Sequence, residues 1–248
     1  MSRPTDRQVK RAPARTPPGH SRLTPAKAAK HGPSVRLFGR RFPRKKHKVF
    51  VIGRNKTGTT SMAAALRELG YLVGKQEEAE LLIDDWGRGD FSRIIDHCRT
   101  ADAFQDIPFA LPGTYEAVDA AFPGSKFILT VRKDAQTWYD SLTRFHTGIV
   151  GKDRLPTPDD LKEFGYREPG WIWKTHRLVY GIDESTLYDP RIYMEHYENY
   201  NRTVQDYFAG RPDDFLTLNV GDADAVQRLC EFLGTRKKLA SMPRLNKS

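Results

Sequence analysis

The chain has little cysteine: Cys98 and Cys230 stand far apart, with no CxxC or Cys/His spacing between them. That pattern argues against a disulfide framework and against a thiolate zinc site, and it suits a reducing compartment. Nothing in the pattern points to a metal. No run approaches the roughly 18 apolar residues a membrane span needs, and no apolar core follows the first arginines as a secretory signal requires. A cytoplasmic location is therefore expected. Acidic residues are almost missing from one region. Residues 1–46 hold 14 of the 41 Lys/Arg but only one of the 31 Asp/Glu, Asp6, leaving 27 basic against 30 acidic residues in the remainder. A domain that reads nucleic acid carries its positive charge on the folded surface. The net charge of +10 is instead a property of one segment, so no sequence-specific nucleic-acid partner is expected.

That segment, 1–46, also holds seven of the 16 prolines and too few apolar residues to offset the entropy of ordering. It reads as a disordered basic tail, either a solvated extension, a segment for weak contact with an anionic membrane surface or nucleic acid, or a targeting peptide, followed by one domain over 47–248. The oligomeric state cannot be read. In the domain, Val49-Phe50-Val51-Ile52 is a short continuous apolar run of the kind found in buried parallel strands. A glycine-containing loop and an alanine-rich helical stretch to Leu69 follow, with a stop at Gly70. Further strands are expected at 71–73, 103–106, 126–132 and 215–220. Helices are expected at 79–83, 91–98, 115–122, 135–145, 190–208 and 223–233. In the helix over 190–208, Tyr193, Tyr197, Tyr200, Val204 and Tyr207 form a stripe that reads as core packing. Alternating β and α elements predict an α/β fold, a three-layer sandwich around a mostly parallel central sheet with a P-loop-type phosphate site.

The loop between the first strand and helix carries the chemistry. Gly53-Arg54-Asn55-Lys56-Thr57-Gly58-Thr59-Thr60-Ser61 offers backbone N–H groups at a helix N-terminus, a lysine charge and hydroxyl donors, all suited to an anion. In an NTPase loop the Lys and Ser/Thr directly follow the second glycine, to meet β/γ-phosphates and magnesium. Here Thr59 follows Gly58 and the lysine precedes it by two. A nucleotide kinase or NTPase is thus the weaker alternative, beside a non-catalytic nucleotide-binding interaction protein.

Asn55-Lys56-Thr57-Gly58-Thr59-Thr60-Ser61 resembles the 5′-phosphosulfate loop of sulfotransferases that use 3′-phosphoadenosine 5′-phosphosulfate (PAPS), with Asn55 where proline is frequent. Phe127-Ile128-Leu129-Thr130-Val131-Arg132, followed by Trp138-Tyr139-Asp140-Ser141, resembles the same family's 3′-phosphate element. The resemblance implies that Arg132 and Ser141 grip the 3′-phosphate, although their spacing is nine where eight is common. It covers about residues 48–248, including the end from Met242. It implies PAPS as co-substrate, a hydroxyl-bearing acceptor, carbohydrate or glycolipid in the first instance, and donor binding by residues 54–61. The Arg-Lys-Gly donor element of cytosolic relatives is absent, and Arg236, Lys237 and Lys238 are the available substitutes. Lys56 would stabilise charge on the leaving oxygen. Gln105-Asp106-Ile107-Pro108 stands where relatives carry a catalytic histidine, which makes Asp106 the candidate base and His146 the second candidate. Asp106 before a proline also suits a turn. The aromatic stretch from Phe164 to Tyr188 suits either acceptor stacking or ordinary packing.

Overall fold

The computed structural model describes residues 47–237 and 239–243. The basic tail, Lys238 and residues 244–248 lie outside the described residues, and so do the expectations placed on them. Four short strands form the sheet: β1 Val49–Val51, β2 Ala103–Gln105, β3 Lys126–Thr130 and β4 Phe215–Leu218. They are ordered β2-β1-β3-β4 and every pairing is parallel, with Val51 opposite both Gln105 and Ile128. Parallel strands need crossover connections, and helices supply them. Between β1 and β2 lie α1 Thr59–Glu68, α2 Gln76–Glu80, α3 Ile83–Gly87 and α4 Ser92–His97. Helix α5 Thr114–Ala121 precedes β3, and α6 Ala135–Val150, α7 Pro158–Glu163, α8 Trp171–Tyr180 and α9 Pro190–Phe208 precede β4. Helix α10 Ala225–Phe232 follows.

Side chains alternate across a strand, and β1 uses both faces. Phe50 joins a core with Phe104, Phe127, Tyr115, Val118 and Phe208, from α5 and α9 among other elements. Val49 and Val51 join the opposite core with Met62, Leu66 and Leu229 from α1 and α10. Helices therefore cover both faces, and the expected α/β sandwich with a parallel sheet is the observed one. A third core packs α6, α8 and α9 together through Trp138, Ile172, Tyr193 and Tyr197.

Several element boundaries differ from the sequence reading. Residues 71–73 do not form a strand; Val73 makes a single bridge to Ala103. The helix expected over 79–83 is two short helices, α2 and α3, broken at Leu81 and Leu82. Helix α6 runs on to Val150 and is capped by Gly151. In the α9 stripe the last buried position is Phe208, while Tyr207 is exposed and donates its hydroxyl to Asp119.

Candidate active site

The chain leaves β1 for β2 on one side and later returns to β3 on the other. That reversal opens a crevice at the carboxyl ends of the strands, where ligands of open α/β sheets bind. A cavity of about 420 Å³ lies there. One end is formed by the loops after β1, β3 and β4, through Lys56, Gly58, Thr59, Arg132 and Val220. The other is formed by α2, the loop after β2 and α8, through Glu80, Asp106, Trp171, Thr175 and Tyr180.

At the first end the loop is held open by its glycines. A Cβ on Gly53 would lie 2.1 Å from Thr130 Oγ1, and one on Gly58, at φ 102°, would lie 2.4 Å from Val220 Cγ2. Lys56 also takes a left-handed conformation, φ 67°, which costs a non-glycine residue energy and is often retained at functional sites. Three successive carbonyls are engaged by protein donors. Arg54 O accepts from Thr57, Asn55 O from Trp138 Nε1 at 2.9 Å, and Lys56 O from Arg132 Nε at 2.6 Å. Helix α1 then starts at Gly58 with no side-chain cap, so its first N–H groups face the crevice end with the positive end of the helix dipole. Burial lowers the affinity of Lys56 for its proton, and Arg132 and Arg144 push the same way while Asp106 opposes them. The Lys56 ammonium lies 3.9 Å from the centre of the Phe145 ring.

The other predicted residues separate into groups. Asn55, Thr59, Thr60 and Ser61 line the cavity. Arg132 and Ser141 come together, with Nη2 3.5 Å from Oγ, so a spacing of nine does not separate them. Two side chains are tied to the scaffold, although Arg54 still lines the cavity. The Thr57 hydroxyl is fully buried between Arg54 O at 2.5 Å and Thr130 Oγ1 at 2.6 Å. The Arg54 guanidinium turns inward to Ala110 O and the Tyr180 hydroxyl, packed over the Tyr180 and Tyr200 rings. Both side chains knit the loop to its scaffold. Arg236 and Lys237 are exposed and do not line the cavity, whereas Met242 and Pro243 do. Arg144 escaped the sequence reading. It is one turn beyond Ser141, and its charge bears on both Lys56 and Arg132.

Asp106 sits immediately after β2 at φ 64°. Its Oδ2 accepts from Thr59 Oγ1 at 2.8 Å and its Oδ1 from the Ile107 N–H at 2.9 Å. Desolvation raises its proton affinity most, and these two hydrogen bonds with Arg54 and Lys56 pull it back. His146 is different. It is buried, its Nδ1 lies 2.9 Å from the Tyr188 hydroxyl, and burial assisted by the Lys56 charge lowers its pKa to about 3. His176 lies beside it, with ring centres 4.9 Å apart, and is likewise held neutral by burial. The rest of this end is aromatic, from Tyr166, Trp171 and Tyr180, with one buried hydroxyl, Thr175 Oγ1, that has no partner. Sequence reading left α8 unassigned and overlooked Glu80, a buried carboxyl on the cavity wall.

A parallel α/β sheet carrying at its carboxyl edge a strand, a glycine loop and an uncapped helix suited to an anion, faced by a buried carboxyl, fits a group-transfer or nucleotide-binding class of protein. A family model described as a sulfotransferase domain matches residues 48–248, and the chain belongs to that family. A comparison with curated proteins gives no match. Among the described residues no helix is long and apolar enough to cross a membrane, and no group of three or more His, Cys, Asp or Glu could hold a metal ion.

Proposed function

We propose that this sulfotransferase uses PAPS as donor and sulfates a hydroxyl of a carbohydrate or glycolipid acceptor, with Asp106 as base. The observation that carries this is the convergence of Lys56, Asp106 and the uncapped α1 N-terminus on one cavity, with the Arg132–Ser141 pair beside it. PAPS supplies a sulfuryl group and a 3′-phosphate absent from ATP. Residues 55 and 58–61 fit the 5′-phosphosulfate, and the arginine fork with the serine hydroxyl fits the 3′-phosphate. The acceptor oxygen bonds to sulfur as the bridging S–O bond breaks, and its electron pair leaves on the 5′-phosphate. Lys56 stabilises that charge, and the acceptor proton passes to an Asp106 oxygen. His146, with so low a proton affinity, does not compete for it near neutrality. The aromatic wall suits stacking on a sugar ring, and Thr175 Oγ1 gives one hydroxyl a partner.

The catalytic domain in this proposal is 47–248, a cytoplasmic unit that binds its donor without metal, while segment 1–46 contributes charge rather than catalysis. Incubation with sulfur-labelled PAPS and host extract tests the function. The expected outcome is label in an acceptor, lost with Asp106→Asn while affinity for adenosine 3′,5′-bisphosphate stays within about twofold. Wild-type turnover in that variant would remove Asp106 from the role of base.

A further inference from the structure

Glu80 belongs to no motif, yet the structure builds a place for it. Its residue is 5% exposed, on the last turn of α2, and it lines the same cavity as Asp106. Helix α2 is fastened to the loop that carries Asp106. Gln76 Nε2 donates to Ile107 O at 2.8 Å, and Gln105 Nε2 donates to Gln76 Oε1 at 3.2 Å. Gln76 and Glu80 are four apart and so share one helix face, which sets Glu80 on the side that meets Asp106. From the opposite side the turn before α8 and the first residue of α8 grip it. Arg167 Nε donates to its carboxylate and Trp171 Nε1 donates to its backbone oxygen at 3.2 Å. Tyr166 in the same turn feels the charge of both carboxyls, and the Arg167 guanidinium lies 4.4 Å from the centre of its ring.

We propose that Glu80 is a positioning residue that pairs with Asp106 across the acceptor end, strengthening Asp106 as a base and holding the 164–170 turn there through Arg167. The inference rests on the sulfuryl-transfer function proposed above. The groups acting on Glu80 are Asp106, Arg167 and Gln76, Tyr166 feels its charge, and Glu77 lies 3.8 Å from Arg167. Burial and the Asp106 charge raise Glu80 to about 7, against the pull of Arg167 and Gln76. An ionised Glu80 adds negative charge beside Asp106 and increases its affinity for the acceptor proton; a protonated Glu80 removes that charge and weakens the Arg167 contact. Activity should therefore rise as pH passes upward through neutrality.

Infrared titration of the full chain, without ligand, checks the pair directly. Wild type should contain a carboxyl titrating near 7 that disappears in Glu80→Gln and moves to lower pH in Asp106→Asn. Absence of that titration in wild type, or its indifference to Asp106→Asn, overturns the proposal even if Glu80→Gln fails to fold. Calorimetric binding of adenosine 3′,5′-bisphosphate verifies the fold of each variant. In the labelled-PAPS assay, transfer by wild type should rise about tenfold from pH 6 to pH 8, following the ionised fraction of a group titrating at neutrality. Glu80→Gln should flatten the rise to less than about threefold; identical profiles would also overturn the proposal. If the titration behaves as expected but wild type labels no acceptor, the carboxyl pair stands and the sulfuryl-transfer function falls.

Discussion

The two ends of the cavity are built by different means. The end at the β1 loop is made of backbone and a few consecutive side chains: N–H groups of α1, two glycines that admit Thr130 and Val220, and the cation Lys56. The end at α8 is assembled from distant segments, with Glu80 from α2, Asp106 from the β2 loop, His146 from α6 and Thr175 from α8. The first arrangement suits a ligand whose charge never varies, because fixed dipoles need no rearrangement. The second places neutral imidazoles, ring faces and a lone hydroxyl around two carboxyls, so that, if it takes the acceptor as proposed, single side-chain changes should alter its selectivity. Donor affinity should accordingly depend on few residues of the first end, and acceptor choice on many of the second.

The sharpest break in this division is at the junction. Lys56→Ala and Asp106→Asn should each lower turnover about 10³-fold, and in steady-state assays with saturating PAPS only the lysine change should also weaken the donor. Next, Arg132→Ala should weaken adenosine 3′,5′-bisphosphate by about 30-fold, while binding of adenosine 5′-phosphate, which lacks the 3′ group, changes little. Equal losses for the two nucleotides would move Arg132 away from the 3′-phosphate. At the other end, Trp171→Ala should raise the acceptor KM about tenfold and leave calorimetric donor affinity within about twofold. If donor affinity collapses as well, the two ends are one mechanical unit.

The last effect concerns stability. His146 and His176 are buried and neutral, His146 with a pKa of about 3. Both would take up protons in the unfolded chain near 6.5. Between that value and the folded pKa the unfolded state binds more protons, so stability is full above 6.5 and falls as pH drops toward 3. Calorimetric Tm should decline from pH 7 to pH 4, less steeply in His146→Gln.

The β1-loop end of the cavity showed as a pattern in the sequence because its residues are neighbours in the chain. The loop 53–61 and Arg132 at the end of a β-rich run display their order before any folding is known. Residues of the α8 end meet only through the sheet topology. Helix α8 buries Trp171, Ile172, Thr175, His176 and Val179, a helical spacing bounded by Gly170 and Gly181. The pattern was obscured because Trp173 and Leu178 lie on its outer side, Leu178 at 40% exposure. Glu80 gave no signal at all, since a glutamate in the acidic run Gln76-Glu77-Glu78-Ala79-Glu80 looks like a solvated face. The inward turns of Thr57 and Arg54 could not be read either, because hydroxyl and guanidinium donors suit a scaffold carbonyl as well as a phosphate.

Of the four tryptophans, Trp138 is fully buried, stacked 4.6 Å from the Tyr197 ring, with its indole N–H on Asn55 O. One hydrogen bond thus joins a natural fluorophore to the loop after β1. If the loop takes the nucleotide as proposed, entry that shifts this carbonyl should change the field along the indole, and Trp138 emission would then report donor occupancy.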